Sequence, residues 1–290
     1  KKIVKESFFK EKIKAEYNFL SSVPETLRSY FVEVSDYKES SELARYSMQK
    51  YEMVDSSILY INGGLNGKDL SQFLEIIGNF LENRLNFEDS SNKNNINSLL
   101  IEKVHERSKK LKEWDGFNSL DKFIFEHTSY RNFDEIIEQL YKTVKKQRIK
   151  LFKYKKIFSH GDLCLSNILY DKNSQFVKLV DPKGGDHAYL PSIYDFAKLS
   201  HSILGGYDHI INNRSAIAFN SSMVAESDIK ISLENVELFK AFLNNLNVSY
   251  EDVRLVEASL FLSMLPLHTD DKRKVILLAI RGMEILNEVK

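Results

Sequence analysis

Cysteine is almost absent from this chain, and its scarcity excludes one class of fold. Cys164 is the only cysteine among the 290 residues, so no disulfide can form within the chain. A disulfide-stabilised secreted scaffold is therefore excluded, and a reducing, cytoplasmic location is the expectation. The apolar neighbours of Cys164 predict a buried and inert thiol.

An excess of charge and a long apolar segment are also lacking. Lysine plus arginine and aspartate plus glutamate both number 41, so the formal net charge is zero. No global field favours nucleic acid or an anionic membrane surface. No apolar run reaches the roughly 20 residues that a bilayer-spanning helix needs. We therefore predict neither a nucleic-acid partner nor membrane insertion, and the oligomeric state stays open.

The first 53 residues carry short β-prone runs around one helix. Lys2 to Lys5 predicts a strand, and Ser7 to Ser21 predicts a helix. Tyr30 to Val34 and Ala44 to Met53 predict an antiparallel pair of strands around a polar turn. The apolar positions of the predicted helix are Phe9, Ile13, Tyr17 and Leu20.

Residues 54–290 are mainly helical in pattern, with one exception in the middle. Ile168 to Tyr170 and Phe176 to Val180 flank a polar four-residue turn, which predicts a β-hairpin. The polar stretch from Asn86 to Asn97 predicts a surface loop, and Asn212 to Ser227 predicts irregular structure. Two further segments have one apolar helical face each: Leu70, Phe73, Leu74, Ile77, Phe80 and Leu81, and then Phe133, Ile136, Ile137, Leu140 and Val144.

One segment combines the residue types that phosphoryl transfer requires. His160, Asp162 and Asn167 form the pattern His-x-Asp-x-x-x-x-Asn, and Asp181-Pro182 follows the next predicted strand. Transfer from ATP needs a carboxylate that orients and deprotonates the attacking hydroxyl, and oxygen ligands for Mg²⁺. Asp162 suits the first role, while Asn167 and Asp181 suit the second. Because a lone Asp-x-x-x-x-Asn is common, the prediction depends on the whole set.

The stretch from Phe158 to Leu204 resembles the aminoglycoside phosphotransferase and choline kinase superfamily. It has His-Gly-Asp-Leu-x-x-x-Asn-Ile-Leu, the hairpin, Leu-Val-Asp-Pro and then Tyr-Asp-Phe-Ala-Lys. Fructosamine kinases, methylthioribose kinases and kinase-like proteins of bacterial surface-polysaccharide clusters share its Asp-Pro. The resemblance implies an α+β, protein-kinase-like fold of two lobes. Residues 1–53 would form a β-rich, nucleotide-binding lobe, and residues 54–290 a helical lobe with the catalytic loop and acceptor site.

The resemblance also implies roles for single residues. Asp162 would be the catalytic base, with Asn167 and Asp181 as metal ligands. His160 would brace the catalytic loop, and Asp195 would tie that loop to the helix beneath it. A plain carboxylate at a helix N-terminus is the alternative for Asp195.

In this superfamily a strand-end lysine grips the phosphates of ATP, and a glutamate on the next helix holds that lysine. Lys5 with Glu16 fits this arrangement, because Lys5 ends the apolar run of the first strand. Lys2 with Glu11 is the alternative pair, and all four residues could instead be solvated surface charges. Backbone groups of a hinge segment would bind the purine, and its candidate residues are Gln49, Tyr51 and Met53.

Two places are candidates for acceptor binding. Lys183 and His187 follow Asp181 and would meet an anionic or hydroxyl-rich acceptor. The alternative for Lys183, an ordinary solvated surface charge, is equally open. His268 and Asp270 lie at a helix break that could face the cleft. A break with a capping aspartate is the alternative interpretation.

The function implied is an ATP- and Mg²⁺-dependent phosphotransferase acting on a small-molecule hydroxyl. A sugar or small alcohol of surface-glycan metabolism is the expected acceptor. No Ala-Pro-Glu segment follows Asp181, which argues against a protein substrate. No glycine-rich loop precedes Lys5, so a nucleotide-binding pseudokinase or scaffolding protein is the alternative. The first residues resemble the second half of a strand, and we expect further residues upstream.

Overall fold

The computed structural model describes residues 1–89, 96, 98–151 and 153–289. It is a mixed α and β fold, 56% helical and 15% strand, and its sheets are small. This composition is compatible with the predicted α+β class. The chain divides into two compact units, Lys1–Lys93 with Lys155–Leu199 and Asn94–Tyr154 with Ser200–Lys290. The predicted lobe boundary at residue 53 stays a prediction.

The first unit alternates strands and helices. Its short 3₁₀ helices are Glu25–Tyr30, Arg84–Asn86, Leu165–Asn167 and Gly185–His187. Its last helix continues into the second unit from Ser200. The strands and α-helices are β1 (Lys2–Ser7), α1 (Lys10–Ser21), β2 (Val34–Glu39), β3 (Ala44–Gln49), β4 (Val54–Asp55), α2 (Ser56–Ile61), α3 (Gly67–Asn83), β5 (Lys156–Phe158), β6 (Ile168–Asp171), β7 (Phe176–Leu179), β8 (Tyr189–Pro191) and α7 (Ile193–Ile203).

Two three-stranded antiparallel sheets dominate this unit. One has the order β1-β3-β2, with Lys5 opposite Tyr46, and the other has the order β4-β6-β7. The predicted hairpin is present as β6 and β7, whose register pairs Ile168 with Leu179. The strands β5 and β8 form a separate antiparallel pair.

Two details of the predicted N-terminal elements are wrong. The second strand is Val34–Glu39 rather than residues 30–34, because Phe31 and Val32 are buried instead of pairing with β3. The backbone N–H of Val32 donates to Leu179 of the hairpin at 3.3 Å. Phe9 does not join the buried face of α1, since it precedes the helix and is 78% exposed.

The second unit is mainly helical. The apolar faces predicted from residues 70–81, in the first unit, and 133–144, in the second, are buried as expected. A small antiparallel hairpin corrects the prediction of irregular structure over residues 212–227, and the predicted loop from Asn86 to Asn97 lies mostly outside the described residues. The elements are α4 (Lys103–Lys112), α5 (Phe117–His127), α6 (Phe133–Leu151), α8 (Tyr207–Ile211), β9 (Ile217–Phe219), β10 (Ala225–Ser227), α9 (Leu233–Asn245), α10 (Tyr250–Met264) and α11 (Lys272–Glu288).

Helix α10 forms the centre of the second unit. Every residue from Asp252 to Met264 is buried, so the helix is enclosed on all sides. Its buried charges are compensated, because Arg254 Nη1 lies 2.7 Å from Glu257 Oε2. Within the described part of the chain, no helix combines the length and apolarity that crossing a membrane requires.

Candidate active site

A buried ion pair anchors the segment that carries the predicted catalytic residues. Asp195 lies in the first turn of α7, and both it and Arg84 are completely buried. Arg84 Nη1 donates to Asp195 Oδ2, and Arg84 Nη2 donates to the Ser192 carbonyl at 2.7 Å. The Asp195 carboxylate also accepts the backbone N–H groups of His160 at 3.0 Å and Gly161 at 2.9 Å. Asp195 therefore ties the loop to the helix. Its contacts go beyond the alternative interpretation, a plain carboxylate stabilised by the helix N-terminus.

The His160 side chain has the contacts of a brace. Its Nε2 lies 2.8 Å from the Val180 carbonyl, and its Nδ1 accepts the backbone N–H of Asp162 at 3.2 Å. Burial lowers the pKa of His160, so the neutral imidazole with its proton on Nε2 satisfies both bonds. A neutral ring with both nitrogens engaged in backbone contacts supports the loop and leaves proton transfer to other groups.

Backbone hydrogen bonds bring the loop and the segment after the hairpin together. Val180 N–H donates to the Asn167 carbonyl at 3.0 Å, and Lys183 N–H donates to the His160 carbonyl at 2.9 Å. Asp181 lies between these two bonds. The structure therefore places Asp162, Asn167 and Asp181 on adjoining segments although about twenty sequence positions separate the first from the last.

Asn167 and Asp181 carry the kinds of oxygen atom that the predicted magnesium site requires. Asn167 Nδ2 donates to the Asp162 carbonyl at 2.8 Å, which fixes the orientation of the side-chain amide. Asp181 is 47% exposed and has a left-handed φ of 57°, a strained backbone conformation that is enriched at functional sites. The described residues contain no cluster of three or more His, Cys, Asp or Glu that could hold a metal ion. Two oxygen ligands suffice for Mg²⁺, which usually retains waters and binds substrate phosphates.

A second ion-pair cluster contains the predicted phosphate-gripping lysine. Lys5 Nζ lies 2.7 and 2.8 Å from the two carboxylate oxygens of Glu16, and 2.7 Å from Asp181 Oδ1. The Tyr46 hydroxyl, opposite Lys5 in the sheet, also donates to Glu16. Burial lowers the pKa of Lys5, but the Asp181 and Glu16 carboxylates outweigh burial and raise it. The ammonium group therefore stays charged beside the proposed metal ligand.

The alternative pair of Lys2 with Glu11 is wrong. Lys2 Nζ lies instead 2.9 Å from Asp36 Oδ2, and both of these side chains are more than half exposed. Glu11 lies in the first turn of α1 and is exposed. Lys5 and Glu16 are therefore the pair that the fold brings together.

Two ammonium groups flank the Asp162 carboxylate. Lys198 Nζ lies 2.8 Å from Oδ1, and Lys183 Nζ lies 3.1 Å from Oδ2. Burial alone would raise the pKa of Asp162, but Lys198 and Lys183 outweigh it and hold that pKa well below its ordinary value. Asp162 is therefore an ionised and firmly oriented carboxylate at neutral pH.

The predicted hinge residues run from Gln49, the last residue of β3, to Met53, the residue before β4. The backbone N–H of Gln49 donates to the Glu33 carbonyl at 2.9 Å, so this group is already engaged. The Tyr51 ring lies beneath Lys178, with Nζ 4.9 Å from the ring centroid. Met53 is half-buried and directly precedes β4.

The candidate acceptor residues fall in different units. His187 ends the exposed 3₁₀ turn after Lys183, in the unit that contains Asp162. His268 and Asp270 belong to the second unit, where His268 follows the 3₁₀ helix Leu265–Leu267 and burial lowers its pKa. The cap of α11 is not Asp270 but the following residue, Asp271, which accepts the backbone N–H of Arg273 at 3.0 Å.

Three residues of this site have no role that their sequence context predicted. Arg84, Tyr46 and Lys198 each contact a predicted site carboxylate: Asp195, Glu16 and Asp162 respectively. Only Lys198 had a local signal, since it follows Asp195 by three positions and therefore lies on the same face of α7.

Comparison with known proteins adds no assignment to this geometry. No protein-family model matches the chain, and a search of curated proteins found no significant match.

Proposed function

We propose that this chain is an ATP-dependent phosphotransferase that transfers the γ-phosphoryl group to a hydroxyl of a small molecule. The observation that carries the proposal is the Lys5 ammonium, which joins a buried Glu16 to Asp181 at 2.7 Å. Asp181 in turn lies on a segment that hydrogen bonds to the loop of Asp162 and Asn167. A protein-kinase-like fold of two lobes is part of the proposal.

Each group of this cluster has a role in the proposed reaction. The acceptor oxygen attacks the γ-phosphorus, and its proton passes to Asp162. The bond from the γ-phosphorus to its bridging oxygen breaks, and ADP leaves with that electron pair. Lys5 stabilises the charge on the phosphates, and Asn167 and Asp181 would hold Mg²⁺. When bound, Mg²⁺ neutralises charge between the phosphates.

The acceptor class comes from the family resemblance. Similarity to kinase-like proteins of bacterial surface-polysaccharide clusters favours a sugar or a small alcohol, and a cytoplasmic location follows from the use of ATP and the single cysteine. Acceptor-dependent ADP release, measured with Mg·ATP and a panel of sugars and amino alcohols, tests the activity. ATP binding without transfer to any acceptor would favour a pseudokinase instead.

Lys5→Ala is expected to lower kcat about 10²- to 10³-fold, because it removes positive charge from the transferring phosphates. Lys2→Ala is the matched control on the same strand and should change kcat little, since Lys2 pairs with exposed Asp36. Lys5→Arg should retain more activity than Lys5→Ala but less than the unchanged protein, because a planar guanidinium group replaces a compact ammonium group. Steady-state kinetics would contradict the assignment if Lys2→Ala and Lys5→Ala had equal, mild effects.

Asp181→Ala is expected to abolish the part of ATP affinity that depends on Mg²⁺, because its carboxylate is the charged protein ligand of the proposed site. Calorimetric titration of ATP with and without Mg²⁺ measures this difference. Asp181→Asn controls for backbone strain, since asparagine tolerates a left-handed φ better than alanine does. Asp186→Ala removes an exposed carboxylate from the same segment and should have no effect. An undiminished Mg²⁺ effect in both Asp181 variants would remove the metal site from the proposal.

A further inference from the structure

Both oxygens of the proposed catalytic base are already occupied by ammonium groups. Lys198 bonds to one oxygen of Asp162 and Lys183 to the other, at 2.8 and 3.1 Å. A hydroxyl that gives its proton to Asp162 must come within about 2.6–3.2 Å of one of these oxygens. The acceptor therefore has to share an oxygen with a lysine or displace that lysine.

Exposure identifies Lys183 as the lysine that the acceptor meets. The Lys198 side chain is 13% exposed, whereas that of Lys183 is 45% exposed. Lys198 approaches Asp162 from α7, the helix whose Asp195 already holds the loop. The oxygen that Lys183 occupies is therefore the one whose lysine partner an incoming acceptor can reach and displace.

Lys183 is fixed at its backbone, whereas its charged end can move. Its N–H donates to the His160 carbonyl at 2.9 Å, and a Cβ added at Gly161 would lie 3.0 Å from the Lys183 Cβ. The base of the side chain thus lies directly against the catalytic loop. The remaining methylene groups allow the ammonium group to move away from Asp162 while staying near it.

On the basis of the proposed function, we propose that the acceptor carries an anionic group, a phosphate or a carboxylate, close to the hydroxyl that is phosphorylated. Lys183 exchanges the Asp162 carboxylate for this group when the hydroxyl takes its place. A neutral acceptor leaves the ammonium group without a counter-charge, and a cationic acceptor is repelled by it. Lys183 is thereby a specificity-determining residue of the acceptor site.

Matched pairs of acceptors test this charge preference. Glycerol and glycerol 3-phosphate, glucose and glucose 6-phosphate, and glucose and glucuronate differ in one anionic group. Ethanolamine supplies a cationic comparison. With Mg·ATP, the anionic member that is phosphorylated should have a kcat/KM at least about 10-fold above its neutral partner, because a charge-assisted hydrogen bond to Lys183 favours the anion. The phosphate and carboxylate pairs distinguish the two kinds of anion.

Variants of Lys183 separate charge recognition from catalysis. Lys183→Ala should raise KM for the anionic acceptor and remove the preference, with a smaller change in kcat. Lys183→Arg should keep most of the preference, since it keeps the charge. Lys155→Ala is the matched control, because Lys155 is also a surface lysine paired with a carboxylate, Glu88, at 2.7 Å. It should leave the preference unchanged.

Two results would overturn the inference in different ways. If neutral or cationic acceptors were phosphorylated as well as their anionic partners, or if Lys183→Ala lowered kcat/KM equally for all of them, the anionic acceptor would be wrong. The phosphotransferase proposal would then stand. If ATP bound but no acceptor of any charge were phosphorylated, the proposed function would fail, and the inference with it.

Discussion

Asp162→Asn is expected to lower kcat by about 10²- to 10⁴-fold and to leave ATP affinity nearly unchanged. The amide keeps the size of the side chain but cannot take the hydroxyl proton. ATP affinity should be retained, because in the proposed reaction Asp162 acts on the acceptor, while Lys5 and Asp181 act on the nucleotide. Steady-state kinetics with a saturating acceptor, together with titration of ATP, measure the two quantities.

The charge change at residue 162 needs its own control. An amide at this position would leave the ammonium group of Lys198 without its carboxylate partner, so a loss of folding could imitate a loss of catalysis. Thermal unfolding of the variant detects such a loss. Asp186→Asn makes the same chemical change at an exposed position and should keep kcat. Retention of most of the activity in a folded Asp162→Asn protein would exclude the carboxylate as the base.

The two lysines beside Asp162 explain why its carboxylate is ionised. Burial acting alone would favour the protonated form of this partly buried carboxylate, and a protonated group could not accept the hydroxyl proton. Lys198 and Lys183 reverse this effect and keep the pKa of Asp162 low. The low pKa makes Asp162 a weak base, which suits a loose transition state in which orientation of the hydroxyl matters more than early proton removal.

The local parts of the site could be predicted from the sequence. The hairpin is visible because its alternation and its polar turn are short-range features, and the structure has it at Ile168–Asp171 and Phe176–Leu179. The pairing of Lys5 with Glu16 is implied by the family resemblance, and the structure has a strand followed directly by a helix there. The partners in the hairpin are fewer than about a dozen positions apart, so short-range alternation and the turn place them, whereas the lysine and glutamate pair depends on the family pattern.

The remaining errors come from burial that periodicity does not reveal. Phe31 and Val32 are apolar and therefore resemble part of a paired strand. In the structure both side chains are buried in the core beside the hairpin. The strand that pairs with β3 at this place is β2, and it is mostly polar because much of it is exposed. Phe9 fits the helical spacing of α1 but precedes its first turn. An apolar residue at strand or helix spacing therefore fixes neither its own burial nor the partner that would cover it.

The role of Arg84 could not be predicted from the sequence, because its partner, Asp195, lies 111 positions away. At the end of the amphipathic helix α3, an arginine has the appearance of an ordinary solvated charge. In the structure it is completely buried, and it compensates the Asp195 carboxylate, which holds the backbone of His160 and Gly161 in the proposed catalytic loop. Such a long-range pair is visible only in three dimensions.

Arg84→Ala is expected to lower the free energy of unfolding by about 3–5 kcal/mol, because it leaves Asp195 buried without a counter-charge. Two neutral N–H donors would remain to Asp195, from His160 and Gly161, and they cannot offset a full charge. Denaturation by urea, followed by circular dichroism, measures the change. Arg84→Lys should have an intermediate effect, because it keeps the charge but not the second bond to Ser192.

Arg28→Ala is the matched control for the loss of an arginine in the same unit. Arg28 is exposed and makes one backbone hydrogen bond, to Val23 at 3.3 Å, so its removal should change stability by about 0.5 kcal/mol or less. Equal stabilities of the Arg84→Ala and Arg28→Ala proteins would contradict the role of the buried pair. If Arg84→Ala is destabilised as expected, kcat should also fall at temperatures where the variant is still folded. The reason is that Asp195 would no longer hold the backbone of His160, and Asp162 would lose its fixed position.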